Sequence, residues 1–147
     1  MKRLFVTLSI SFLLISLSSF ARDGRVSARV EESFNASFKG ATEVSWTVVK
    51  DYYKVSFNLN GQYVSAYYNE ESSLVAVSRN ITSLQLPVTL QSQIKSNYEK
   101  YWISDLFEVV NEQGTTYYIT IENGESKIIL KSVSNFEWDT FKVHTKF

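Results

Sequence analysis

The spacing of apolar residues changes near residue 40, and this change restricts the possible folds more than any other feature. Before it, apolar residues recur at every fourth position: Val26, Val30, Phe34 and Phe38. That spacing places one apolar stripe on an amphipathic helix. After it, apolar and polar residues alternate, most clearly over residues 53–59. Alternation is typical of a strand with one buried face, so the chain is expected to combine a short helix with antiparallel strands.

A second helix and further strands follow in the same order. Pro87 suits the first turn of a helix, and the apolar stripe reappears at Leu90, Ile94 and Tyr98. Asn60-Gly61 and Asn123-Gly124 are hairpin signals, because a type I′ turn needs two residues with positive φ. The prediction is an α+β fold of two tandem helix-plus-antiparallel-hairpin repeats, about 26–83 and 84–147. They would form one sheet with both helices on one face.

Residues 1–21 have the three parts of a secretory signal peptide. Lys2 and Arg3 are followed by an uncharged run over 4–20, and Ser19-Phe20-Ala21 supplies small residues at a cleavage site. A retained membrane anchor is the alternative, but serines and a threonine interrupt the run. We therefore expect cleavage after Ala21, a single domain over 22–147, and a periplasmic or secreted protein.

Composition restricts the partners of this domain. Removing Lys2 and Arg3 leaves 13 basic residues against 15 acidic ones, a net charge of −2. Nucleic-acid binding needs clustered basic charge, and neither that role nor membrane association after cleavage is expected. The sequence has no cysteine, so the fold must depend on its core, for which 10 Phe and 9 Tyr are available.

The sequence contains no recognisable catalytic set. It lacks a cysteine nucleophile, and its single histidine, His144, lies near the end of the chain. The acidic pairs Glu31-Glu32 and Glu70-Glu71 are adjacent in sequence, and adjacent helical side chains do not converge on one ion. No metal, cofactor or catalytic residue is predicted, and the protein is interpreted as non-catalytic. A pair of carboxylates brought together by folding is the remaining enzymatic possibility.

The candidate partner-binding site consists of the strand residues whose side chains are predicted to point away from the core. Tyr53, Val55 and Phe57 share one strand face and are expected in the core. Tyrosine among small polar residues on the opposite face is typical of protein interfaces, although cross-strand packing alone would explain it equally well. The predicted site is Lys54, Ser56, Asn58, Tyr63, Tyr67, Tyr118 and Thr120. Truncating Tyr67 or Tyr118 is then expected to weaken binding and barely alter stability.

Several motifs resemble a known family, the periplasmic β-lactamase-inhibitor-like proteins with PepSY-like domains. The matching segments are Phe34-x3-Phe38-x-Gly40-Ala41, Val44-x-Trp46, Tyr53-x-Val55-x-Phe57, Asn60-Gly61, Ala66-Tyr67-Tyr68, Leu86-Pro87, and Tyr118-x-Thr120 before Asn123-Gly124. The family usually has glycine in the turn after the Tyr-Tyr strand, where this chain has Glu70-Glu71-Ser72-Ser73.

The resemblance implies a function as well as a fold. In the inhibitors that name the family, the free sheet face grips a β-lactamase, and related PepSY domains restrain peptidases. It implies that this chain binds or inhibits a protein or peptide in the periplasm through its free sheet face. The alternative is a binder of a small ligand or envelope polymer that uses the same aromatic face.

Overall fold

The computed structural model describes residues 25–146. The predicted signal peptide and its cleavage site lie outside the described residues. Two ten-residue helices are present, α1 (Ala28–Ser37) and α2 (Val88–Asn97), with a 3-10 turn at Ser83–Gln85. The strands are β1 (Thr42–Val49), β2 (Tyr52–Leu59), β3 (Gln62–Asn69), β4 (Leu74–Asn80), β5 (Trp102–Asn111), β6 (Gly114–Glu122), β7 (Ser126–Ser132) and β8 (Trp138–Thr145). Within residues 25–146 no helix is long and apolar enough to cross a membrane.

All eight strands form one open antiparallel sheet in the order of the sequence, from β1 to β8. The prediction of two tandem helix-plus-hairpin repeats is wrong. The chain is mostly sheet, and four strands follow each helix. Because β4 pairs with β5, through Val77 and Val110 among others, the sheet has no boundary between two units. Periodicity showed the strands but could not show this pairing, which joins segments on either side of α2.

Capping and turn residues set the local boundaries. The Ser27 hydroxyl accepts a hydrogen bond from the Val30 backbone N–H at 3.3 Å and begins α1. Asn60 (φ 53°) and Gly61 (φ 82°) both have positive φ, which confirms the type I′ hairpin signal. The turn at Asn123-Gly124 is closed differently, because the Asn123 side-chain oxygen accepts a hydrogen bond from the Ser126 backbone N–H at 2.7 Å. This Asx-type turn replaces the expected two-residue turn.

The first part of the core lies between α1 and strands β2 and β3. Val30 and Phe34 are buried against Val55, Phe57 and Ala66. The Phe34 and Phe57 rings meet edge to face at 5.0 Å between centroids, a favourable aromatic geometry. The predicted apolar stripe of the first helix therefore faces the core, with Val30 and Phe34 buried and Val26 and Phe38 half-buried.

The second part lies beside α2. Leu86 and the half-buried Ile94 pack on Leu106, Ile119 and Leu130. Strand register places this cluster on the same face of the sheet as the first, because successive pairings connect Val64, Arg79 and Glu108 across β3, β4 and β5. Both helices thus cover one face, and the opposite face is named here the helix-free face.

Candidate binding face

Strand parity places every predicted site residue on the helix-free face. Val55 and Phe57 point to α1, so Lys54, Ser56 and Asn58 point away from it. On β3, Tyr63 and Tyr67 lie opposite Asn58 and Lys54 in the register. On β6, Ile119 contacts the α2 side, which leaves Tyr118 and Thr120 on the helix-free face.

The β2 and β3 members are held mainly by contacts within the sheet. The Ser56 and Ser65 hydroxyls lie 3.0 Å apart, and the Asn58 side-chain oxygen accepts from the Gly61 N–H at 2.9 Å. The Tyr63 hydroxyl donates to a Glu43 carboxylate oxygen at 2.8 Å, although the side chain is 67% exposed. Ser56 and Asn58 therefore stabilise the hairpin, whereas the Tyr63 ring is accessible.

Tyr118 and Thr120 are more buried than outward parity predicts, with exposed fractions of 6% and 3%. The Phe107 ring stacks on Tyr118 at 5.2 Å between centroids, with 11° between the ring planes. Phe141 meets the Tyr118 ring edge-on at 5.8 Å. Tyr118 is consequently part of a packed cluster, and its truncation is expected to destabilise the fold, contrary to the expectation from sequence.

That cluster extends across the centre of the sheet. Its buried members are Ala76, Phe107, Val109 and Tyr118, and the half-buried Tyr67 packs against them. The cluster spans β3 to β6 and connects the two groups of predicted residues. We name it the aromatic cluster.

Sequence reasoning missed the part of the aromatic cluster on β4 and β5. Leu106 and Phe107 are both buried, one on each face of the sheet. Consecutive apolar residues of this kind are typical of a strand buried on both faces, and that signal was available over residues 106–110. Phe141 had no such signal, because the β7–β8 register shifts beside it, between the Ile129 and Leu130 pairings.

Lysines lie at two ends of the aromatic cluster. The Lys54 ammonium is 5.9 Å from the Tyr67 ring centroid, and the Lys131 ammonium is 6.0 Å from the Tyr118 centroid. Both distances are in the range of cation–π attraction. Among residues 25–146 no carboxylate oxygen lies within 4.0 Å of either ammonium, although Asp139 is the register partner of Lys131 on β8.

A separate charged group lies nearer the end of the chain. The Glu122 carboxylate binds Lys146 at 2.7 Å and Lys127 at 3.4 Å. Hydrogen bonds from Lys146, Ser104 and Lys127 lower the pKa of Glu122 from 4.5 to about 2. Glu122 therefore stays ionised and neutralises the lysines beside it.

Burial and hydrogen bonding keep the tyrosines of this face neutral. Burial raises the pKa of Tyr118, and it raises the pKa of Tyr67 against a smaller opposing effect of the Ser78 hydroxyl. The hydrogen bond to Glu43 raises the pKa of Tyr63. Tyr63 and Tyr67 therefore offer a partner neutral phenol rings and hydroxyls rather than phenolate charge.

Two clefts in the described region lie away from these tyrosines. One of about 330 Å³ is polar and shallow and lies between the end of β4 and the start of β5, where Asn80 and Asp105 line it. Another of about 130 Å³ lies under α2, beside Ile94 and Ile119. Neither includes Tyr67 or Tyr118. Within residues 25–146 no three His, Asp or Glu side chains are grouped to hold a metal ion, and His144 is exposed opposite Lys127.

Comparisons with solved structures give the class of fold. A BLIP-like protein from Bacteroides fragilis is 18% identical, with a TM-score of 0.67, over 84% of this chain and 89% of that one. A DUF2874 family protein from Bacteroides uniformis is 14% identical, with a TM-score of 0.71, over 82% and 90%. A protein from Bacteroides eggerthii, provisionally described as periplasmic, is 14% identical, with a TM-score of 0.72, over 83% and 90%.

The chain thus has the fold of BLIP-like and DUF2874 proteins. No protein-family profile and no curated protein matches the sequence.

Proposed function

We propose that this chain is an exported, non-catalytic binding protein that holds a protein or peptide in the periplasm against its helix-free face. The observation that carries the proposal is the aromatic cluster on that face. The half-buried Tyr67 and the exposed Tyr63 are the accessible rings of that face, and the buried Tyr118 supports Tyr67 from within the cluster. Tyrosine is enriched at protein interfaces because one side chain combines a large apolar ring with a hydroxyl group.

The fold and the sequence motifs add support. A BLIP-like structural neighbour agrees with the resemblance to β-lactamase-inhibitor-like proteins. We propose that the chain also has the PepSY-like character that its sequence motifs imply. One neighbour's periplasmic description agrees with the signal peptide proposed for residues 1–21. Neither of the two clefts described above includes Tyr67, and small ligands usually bind in enclosed pockets, so a protein or peptide is favoured over the small ligand or envelope polymer kept as the alternative.

A capture experiment with three proteins tests the proposal. Residues 22–147 are immobilised as wild type, as Tyr67→Ala and as Phe136→Ala, and each is exposed to periplasmic extract from the bacterium that encodes the chain. Phe136 is a matched aromatic control, because it is 68% exposed and lies in the β7–β8 turn. Circular dichroism first establishes that all three are folded.

We expect one protein to be retained by the wild type and by Phe136→Ala and to be lost with Tyr67→Ala. Equal retention by all three would contradict the assignment of the helix-free face. Retention of no protein by the wild type would favour the small-ligand alternative.

A further inference from the structure

The lysines beside the aromatic cluster indicate what kind of partner it accepts. We propose that the helix-free face binds an extended, acidic segment of the partner, with carboxylates placed on Lys54 and Lys131 and apolar side chains between them, against the half-buried Tyr67 ring. This inference rests on the proposed function and specifies its partner.

The first argument is charge complementarity. Lys54 and Lys131 lie over the Tyr67 and Tyr118 rings, and within residues 25–146 neither ammonium has a carboxylate within 4.0 Å. In contrast, the lysines around Glu122 already bind its carboxylate. A cation held on a ring with no anion bound is available to a partner carboxylate, and opposite charges across an interface favour association.

In the described part of the chain, other charged residues on the helix-free face do not bind the ammonium groups of Lys54 and Lys131. Lys142 adds a further cation on β8, opposite Ile129. Carboxylates also lie on this face: Asp139 reduces the positive potential near Lys131, Asp105 accepts a hydrogen bond from the Asn80 side chain at 3.3 Å, and Glu43 accepts one from the Tyr63 hydroxyl at 2.8 Å. Around Lys54 the register neighbours are Thr47 and Tyr67, which carry no charge at neutral pH. The cationic character is therefore strongest at Lys54.

The spacing of the two lysines sets the length of the segment. Lys54 is on β2 and Lys131 is on β7, five strand spacings apart in the sheet order. The register also offsets the two lysines along the strands, because Lys54 aligns with Ala76 on β4 and Lys131 aligns with Asn80. At about 4.8 Å per strand spacing and about 3.3 Å per residue, the separation is roughly 27 Å, which an extended peptide spans with about eight residues. The aromatic cluster occupies β3 to β6 between them, so acidic residues belong at the ends of such a segment and apolar ones in its middle.

The test uses two synthetic peptides and three forms of residues 22–147. The acidic peptide has two glutamates at each end and five alternating phenylalanines and serines between them, and its control has glutamines in place of the glutamates. The three forms of the protein are the wild type, the double variant Lys54→Gln with Lys131→Gln, and the control double variant Lys39→Gln with Lys100→Gln. Lys39 and Lys100 are exposed in turns next to the helices and serve as matched controls. Binding is measured by calorimetry.

We expect the acidic peptide to bind the wild type and the control variant equally. Its affinity should be about tenfold lower for the double variant Lys54→Gln with Lys131→Gln. A similar loss is expected for the glutamine peptide with the wild type, and for the acidic peptide at high salt. Equal binding of both peptides would overturn the inference and leave the proposed function intact. Failure of both peptides to bind at about 1 mM would also overturn it. The proposed function fails separately, when Tyr67→Ala retains the captured protein.

Discussion

Arg79 and Glu108 join the two halves of the sheet on its helix-covered face. The Arg79 Nε atom lies 2.6 Å from a Glu108 carboxylate oxygen, directly across the β4–β5 pairing, and Arg79 also donates to the Gln62 side chain at 3.1 Å. The α1 and α2 core clusters lie on either side of this pairing. The ion pair therefore occupies the part of the face between the two clusters.

Breaking this ion pair is expected to destabilise the fold. Glu108 is the more buried partner, with 15% of its side chain exposed against 35% for Arg79, so Arg79→Ala leaves a poorly solvated carboxylate. Arg79→Ala should cost about 1.5–3 kcal/mol in urea unfolding. Arg79→Ala with Glu108→Ala should cost less than the sum of the single variants, and strict additivity would show that the two side chains do not interact.

The apolar stripes of the two helices should differ in their effect on stability. Phe34 is 3% exposed and contacts three aromatic rings, so Phe34→Ala should cost about 3–5 kcal/mol. Ile94 is half-buried, and Ile94→Ala should cost about 2 kcal/mol, the lower end of the range for such truncations. Denaturant melts compare the two, and a larger loss for Ile94→Ala would contradict the packing described.

The Tyr68 hydroxyl is buried, and within residues 25–146 it has no hydrogen-bond partner. The Ser37 hydroxyl is near enough to oppose the rise in the pKa of Tyr68 that burial causes, but its geometry falls short of a hydrogen bond. Tyr68→Phe should therefore be neutral or stabilise by up to about 1 kcal/mol, because it removes an unsatisfied polar group. If Tyr68→Phe instead destabilises the protein, and this loss of stability disappears in a Ser37→Ala background, Ser37 is a true hydrogen-bond partner of Tyr68.

Acid should destabilise the protein partly through Glu122. Its pKa is lowered to about 2, so the contribution of its ion pairs is complete above the ordinary value of 4.5 and is lost as the pH falls towards 2. Stability of the wild type should therefore fall more steeply over this interval than that of Glu122→Gln. Thermal melts from pH 7 to pH 2 measure the difference, with Glu125→Gln, an exposed neighbour, as the matched control.

The signal peptide gives a prediction for the N-terminus. Expression of the full chain in a Gram-negative host should yield periplasmic protein that begins at Arg22, because Ser19-Phe20-Ala21 is a suitable cleavage site. Intact mass spectrometry measures the N-terminus. Recovery of the chain with Met1 in the membrane fraction would support the retained anchor.

Local structure could be read from the sequence more reliably than the arrangement of the sheet. The stripe at Phe34 and the turn at Asn60-Gly61 depend on near neighbours, and both have the expected structure. The β4–β5 pairing depends on residues separated by α2, and no local pattern encodes it. For the same reason the burial of Tyr118 could not be foreseen, since Phe107 and Phe141 approach it from other strands.

The order of the strands also has a consequence for folding kinetics. Each strand pairs with its neighbours in sequence, and the pairing of β4 with β5 closes the longest interval, across α2. Chains whose contacts are close in sequence lose less entropy before those contacts form, and they fold faster than β proteins with distant pairings. The chain has no disulfide to wait for, because it has no cysteine. We therefore expect a fast main refolding phase from denaturant, with a low contact order for so large a sheet.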